Sequence, residues 1–185
     1  MSFRFGVAVS ISSIFSGFSS FGFSGSRVWG RSPAPLSLAA SLVPSGSRVF
    51  VGCAAGVDAF FRLAFPSASV LSVASGSFGA VSRGAFAARS VACVRAVSAA
   101  GGLWVSFPSS ACPAGLLPSA SSSRAFCGSG SGSWASLAFA VGSGVPSVVF
   151  LGSLPVPVGW GLVPVSGSPG WFSVGLSAPV QLSLF

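Results

Sequence analysis

Six amino acids are missing from this chain of 185 residues: lysine, glutamate, histidine, tyrosine, threonine and asparagine. Methionine, isoleucine, aspartate and glutamine survive only as Met1, Ile11, Ile14, Asp58 and Gln181. All of these residue types require adenine at the first or second codon position. The bias therefore has the form of adenine avoidance in the coding strand rather than a demand of the fold. Absences exclude particular chemistries without explaining them, and the few survivors gain weight. With no histidine, lysine, tyrosine or glutamate, a serine or cysteine nucleophile has Asp58 as its one candidate base, so conventional acid–base catalysis is hard to assemble. The cysteines Cys53, Cys93, Cys112 and Cys127 form no close pair and have no histidine beside them. They read as small apolar residues in a reducing compartment, and neither a metal nor a cofactor is implied. Cys53 adjoins a glycine-rich turn, where a helix N-terminus can lower a thiol pKa.

The net charge is +8, carried by arginine against a single acid. Such a balance suits a polyanionic partner. Arginine, however, is the one basic residue that adenine avoidance spares, so the charge permits nucleic-acid binding without demonstrating it. A hydrophobic content of 51% with 5% charged residues approaches a membrane composition. The uncharged stretch 134–152 is long enough to span a bilayer, yet Gly142, Gly144 and Pro146 interrupt it, and it reads better as helix, turn and buried strand. Residues 1–15 share features with a secretory signal, with Arg4 ahead of an apolar run. No small-residue cleavage site followed by a cysteine framework accompanies them. The expectation is a cytoplasmic protein without a membrane span, with serine as its main solvating residue.

Along the chain, residues 1–19 form a Ser/Phe/Gly-rich leader without clear period. Residues 20–152 alternate apolar runs with glycine turns, and 153–185 form a Pro/Gly/Trp-rich tail. Strands are expected at 20–24, 48–54, 70–74, 103–107 and 147–151, and helices at 35–43, 56–65, 82–99 and 133–141. Alternation of this kind predicts an α/β fold, a Rossmann-like parallel sheet of about five strands with helices on both faces. Ligands of such sheets gather outside the carboxyl ends of the strands. The pattern leaves open whether the chain forms a homodimer through its sheet.

Three glycine-rich turns occupy those positions. They are Ser24-Gly25-Ser26-Arg27, Gly52-Cys53-Ala54-Ala55-Gly56-Val57-Asp58, and Gly128-Ser129-Gly130-Ser131-Gly132-Ser133. Glycine lets backbone N–H groups approach an anion, and a helix starting after the turn directs partial positive charge at a phosphate. Arg27 and Arg89 can each offer a planar, bidentate contact, with Ser90 beside Arg89. Asp58 stands near its helix start, where a carboxylate either caps free N–H groups or receives a ligand hydroxyl.

In this order the turns, with Phe86-Ala87-Ala88-Arg89-Ser90 between the last two, resemble the SLOG superfamily and within it the DNA-processing protein A (DprA/Smf) branch. The second turn matches that family's G-x-A-x-G-[IV]-D. The resemblance covers about residues 20–152 and implies a Rossmann-like domain that binds single-stranded DNA or a nucleotide in DNA recombination. It assigns Gly25, Ser26, Arg27, Gly52, Ala54, Gly56, Asp58, Arg89, Ser90, Gly128, Gly130, Ser131, Gly132 and Ser133 to that site. Family lysines and an acid ahead of the third turn are lacking, and the accessory domains have no counterpart. The alternative within the superfamily is a sensor or hydrolase of nucleotide derivatives. The final residues, Gln181-Leu182-Ser183-Leu184-Phe185, resemble the peptide by which bacterial DNA-metabolism proteins dock on the DNA sliding clamp. In such peptides the glutamine bonds at a pocket rim, and the leucines and phenylalanine supply apolar anchors.

Overall fold

Short apolar runs between glycines and prolines become strands, and the longer runs between them become helices. The computed structural model describes residues 9–128 and 131–176. Its strands are β1 (Ser20–Gly25), β2 (Arg48–Gly52), β3 (Ser69–Leu71), β4 (Leu103–Phe107), β5 (Ser147–Phe150), β6 (Val163–Pro164) and β7 (Trp171–Val174). The helices are α1 (Ile11–Ser16), α2 (Ala34–Leu42), α3 (Val57–Ala64), α4 (Arg83–Ala99), α5 (Ser122–Ala125) and α6 (Gly132–Gly142). A 3₁₀ turn at Val73–Ser75 follows β3.

The sheet order is β3-β2-β1-β4-β5-β7-β6. Strands β1 to β5 are parallel, as expected, and β7 and β6 add two antiparallel strands beside β5. The chain leaves β1 toward β2 on one side, while β4 lies on the other, so the strand order reverses between β1 and β4.

Period-2 alternation divides the side chains between two cores. Phe21, Phe23, Val49, Val51, Val105 and Val148 join residues of α1, α2 and α3 in one core. Trp104 and Val149 join α4 and α6 in the other. In the first core Phe23 stacks on Phe61 with ring centroids 3.8 Å apart, and both rings are buried. Burying one such side chain contributes about 1.5–3 kcal/mol. On the second face Gly22 lies under α4. A Cβ there would come within 2.5 Å of Val97 and Trp104, so a side chain would push the helix off the sheet.

Two segments without readable period are ordered. Ile11, Ile14 and Phe15 of α1 are buried in the first core, and Ser10 caps the helix by accepting from the Ser13 N–H. Serines and a short length hide this pattern inside the leader. The segment after residue 152 supplies β6 and β7, with Trp171 and Ser173 buried. Two and four residues are too few to show alternation between prolines and glycines. The fold thus draws on chain from both sides of 20–152, a core helix from before it and two strands from after it. Residues 134–152 divide into most of α6, a turn and β5, and no helix among the described residues is long and apolar enough to cross a membrane.

Candidate phosphate-binding cleft

The reversal between β1 and β4 opens a cleft of about 1000 Å³ at the carboxyl ends of the strands. The turn after β1 is pinned from two sides. The Ser26 N–H donates to the Phe107 carbonyl at 3.0 Å, and the Val57 N–H donates to the Ser26 carbonyl at 3.0 Å. The Ser109 hydroxyl reaches Ser26 Oγ at 2.8 Å. Gly25, Ser26 and exposed Arg27 line the cleft from this turn.

The β2–α3 turn is stapled by Arg62, whose Nη1 donates to the carbonyls of Gly52 and Ala54 at 2.7 and 2.9 Å. Gly56 has φ +68°, and a Cβ there would run into the Ser26 and Arg27 backbone, so this glycine allows the first two turns to touch. A Cβ at Gly52 would overlap the Asp58 carboxylate and the Arg89 guanidinium. Gly52 and Gly56 therefore make room for the site from behind, whereas Ala54 and Asp58 line it.

Asp58 is 4% exposed. Its Oδ2 accepts from the Ala54 N–H at 3.2 Å and from Arg89 Nη1 at 3.4 Å. The carboxylate thus ties the turn that precedes α3 and pairs with a distant helix. The first-turn N–H groups of α3 receive no side-chain cap, since Gly56 occupies the cap position. Burial raises the Asp58 carboxyl above its usual pKa, against the opposing pull of Arg89, the Ala54 N–H, Arg62 and Arg27.

Arg89 comes from the middle of α4, a helix capped by the Ser82 hydroxyl on the Ala85 N–H at 3.1 Å. The residue is 8% exposed, its Nη2 donates to Ser90 Oγ at 3.2 Å, and its Nε has no partner among the described residues. A buried guanidinium with one N–H unsatisfied at the wall of a cleft is a site short of an acceptor. Arg27 lies 4.5 Å from the centre of the Phe86 ring and Arg89 5.7 Å, so one aromatic side chain organises both cations.

The opposite wall is made of backbone. Gly128, Ser131, Gly132 and Ser133 line it. Ser131 is the cap residue of α6, yet its hydroxyl pairs with Ser133 Oγ at 2.7 Å instead of capping, so among the described residues the first turn has no side-chain cap. The buried Trp134 fixes this helix start by donating Nε1–H to the Ser110 carbonyl after β4 at 2.8 Å.

The three turns named from sequence thus meet in one cleft with Arg27, Arg89 and Ser90. Ser129, Gly130 and the terminal Gln181, Leu182, Leu184 and Phe185 lie outside the described residues. Sequence reading missed Arg83, Pro113, Leu116 and Phe126 on the walls. Arg83 opens α4, and its place one residue after a serine cap was a usable signal; the other three sit in loops whose pattern carries none.

Cys53 stands behind Arg89, outside the cleft lining. Burial acts to raise its pKa, but the Val73 N–H at 3.4 Å and Arg89 Nη1 at 3.6 Å outweigh it, leaving the thiol below its usual value. These two donors, with the Ser72 hydroxyl and the Arg89 charge, are the cause rather than a helix N-terminus. Burial pushes the Cys93 thiol up to about 12. Among the described residues no cluster of metal-ligating side chains occurs.

The chain matches no family model, no curated protein and no solved structure.

Proposed function

We propose that the cleft binds the phosphate of single-stranded DNA or of a nucleotide, in a cytoplasmic protein of DNA metabolism similar to DNA-processing protein A. One observation carries this reading. Three glycine-rich turns, distant in sequence, converge on a cleft holding three arginines and, among the described residues, a helix start without a side-chain cap and a buried guanidinium N–H without an acceptor. Backbone amides and a helix dipole hold the anion without proton transfer, so binding needs none of the missing residue types. The terminal QLSLF peptide tethers the chain to the sliding clamp and raises its local concentration on replicating DNA.

The contacts of Asp58 fall on Oδ2, which leaves Oδ1 to meet a sugar hydroxyl from the cleft. That feature favours a second reading, a sensor of a nucleotide derivative. Fluorescence anisotropy with a labelled thymidine oligonucleotide, beside thermal shift with mononucleotides, separates the two. Salt-sensitive oligonucleotide binding supports the DNA reading. Stabilisation by a mononucleotide without oligonucleotide binding supports the sensor. Arg27→Ala should weaken either ligand by at least about tenfold while changing stability by less than about 0.5 kcal/mol, because Arg27 is exposed. Binding unchanged in that variant defeats the cleft assignment. Separately, removal of Leu184 and Phe185 should abolish capture of purified clamp and leave cleft binding intact; equal capture by both proteins refutes the tether.

A further inference from the structure

A second groove, of about 560 Å³, runs along the outer side of α4 and shares Ala87 and Phe126 with the cleft. Its floor is the helix stripe Gly84, Ala88, Val91 and Arg95, spaced by four, three and four residues and therefore on one face. Small side chains keep that floor low. Two half-buried phenylalanines stand over it, Phe126 at the end of α5 and Phe78 after the 3₁₀ turn. Phe126 packs against the second core, whereas Phe78 belongs to neither core and makes no ring contact among the described residues. At one end lies Arg95, exposed and without an ion pair among the described residues, the one acidic side chain of the chain being held by Arg89.

We propose that this groove holds an unstacked nucleobase against Phe78, with Arg95 on the adjoining phosphate, next along the strand from the nucleotide seated in the cleft. The inference rests on the cleft being a phosphate site. It adds that the ligand is a single strand longer than one nucleotide. Three features converge on that occupant. The groove shares Ala87 and Phe126 with a site lined by arginines, so the two lie side by side within reach of one strand. Its walls offer an aromatic face and aliphatic floor that suit a flat apolar surface of any base. The exposed Arg95 guanidinium at its end complements a backbone phosphate and would be wasted on an uncharged peptide side chain.

The probes are thymidine 5′-monophosphate, a thymidine tetranucleotide, and the same tetranucleotide length with abasic sites. Phe78→Ala should weaken the base-bearing tetranucleotide on the order of tenfold and leave the monophosphate and the abasic strand unchanged. Arg95→Gln, at an exposed position that does not threaten the fold, should weaken both strands and lower the salt slope by about 0.7, again sparing the monophosphate. Tetranucleotide affinity equal to wild type in both variants overturns the second subsite. An equal loss for monophosphate and tetranucleotide also overturns it, because the groove would then be acting through the cleft. If the wild-type protein binds none of the three probes, the cleft reading itself falls, an outcome distinct from failure of the groove alone.

Discussion

The two walls of the cleft are built by different means. One wall projects side chains: Arg27 from the first turn, and Arg89 and Asp58 locked together beneath it. The other offers the start of α6, with Ser131, Gly132 and Ser133 and no charged group. The side-chain wall is expensive, because a buried carboxylate and guanidinium are both withdrawn from water and their pairing does not reliably repay the loss. The backbone wall requires only that a helix begin in the right place. Evolution under a restricted alphabet can keep the second almost for free, whereas the first needed the single acid left in the chain.

Breaking the side-chain wall should therefore have the larger effect. Arg89→Ala leaves Asp58 buried without its partner and should cost about 3–5 kcal/mol in urea denaturation, along with ligand binding. Loss of binding with stability retained would mean that the pair is solvated and that the walls differ less than their burial implies.

Asp58→Asn tests the same wall through pH. The folded-state pKa of Asp58 is raised by burial, so its contribution to stability is complete below the unfolded pKa and is lost as pH rises through the folded value. The asparagine variant lacks that loss. Its stability relative to wild type should improve from acid toward neutral pH, measured as urea midpoints across that range. A difference that is flat or runs the other way would place the attraction of Arg89 above the burial effect.

The smallest effect belongs to the backbone wall. A Cβ at Gly132 meets nothing within 4 Å, and its backbone is helical, so Gly132→Ala should change stability by no more than about 1 kcal/mol. A larger thermal shift in either direction would show that this wall too is tightly constrained.

The parallel sheet was legible because its strands are bounded by glycines and prolines and separated by helix-length runs. The 103–107 strand and the 82–99 helix fall within a residue of their expected limits. Helix α1 and strands β6 and β7 were not legible, since six, two and four residues hold too few turns of either period. Within the site, the glycine turns were visible as strand-to-helix punctuation. The role of Asp58 was half visible: its position near a helix start pointed to capping, but its partners, Ala54 and Arg89, were decided by packing.

By itself the chain's order of residues determined an alternating α/β fold, glycine-rich turns where strands hand over to helices, and an alphabet with a single acid and no histidine or lysine. Local propensity and short-range spacing are enough for each of these. Only the tertiary structure decided that the three turns share one cleft, that Arg89 reaches across 31 residues to Asp58, and that a second groove shares Ala87 and Phe126 with that cleft. Such facts depend on how helices settle against the sheet, where burial and close contact between distant residues outweigh anything written in neighbouring letters.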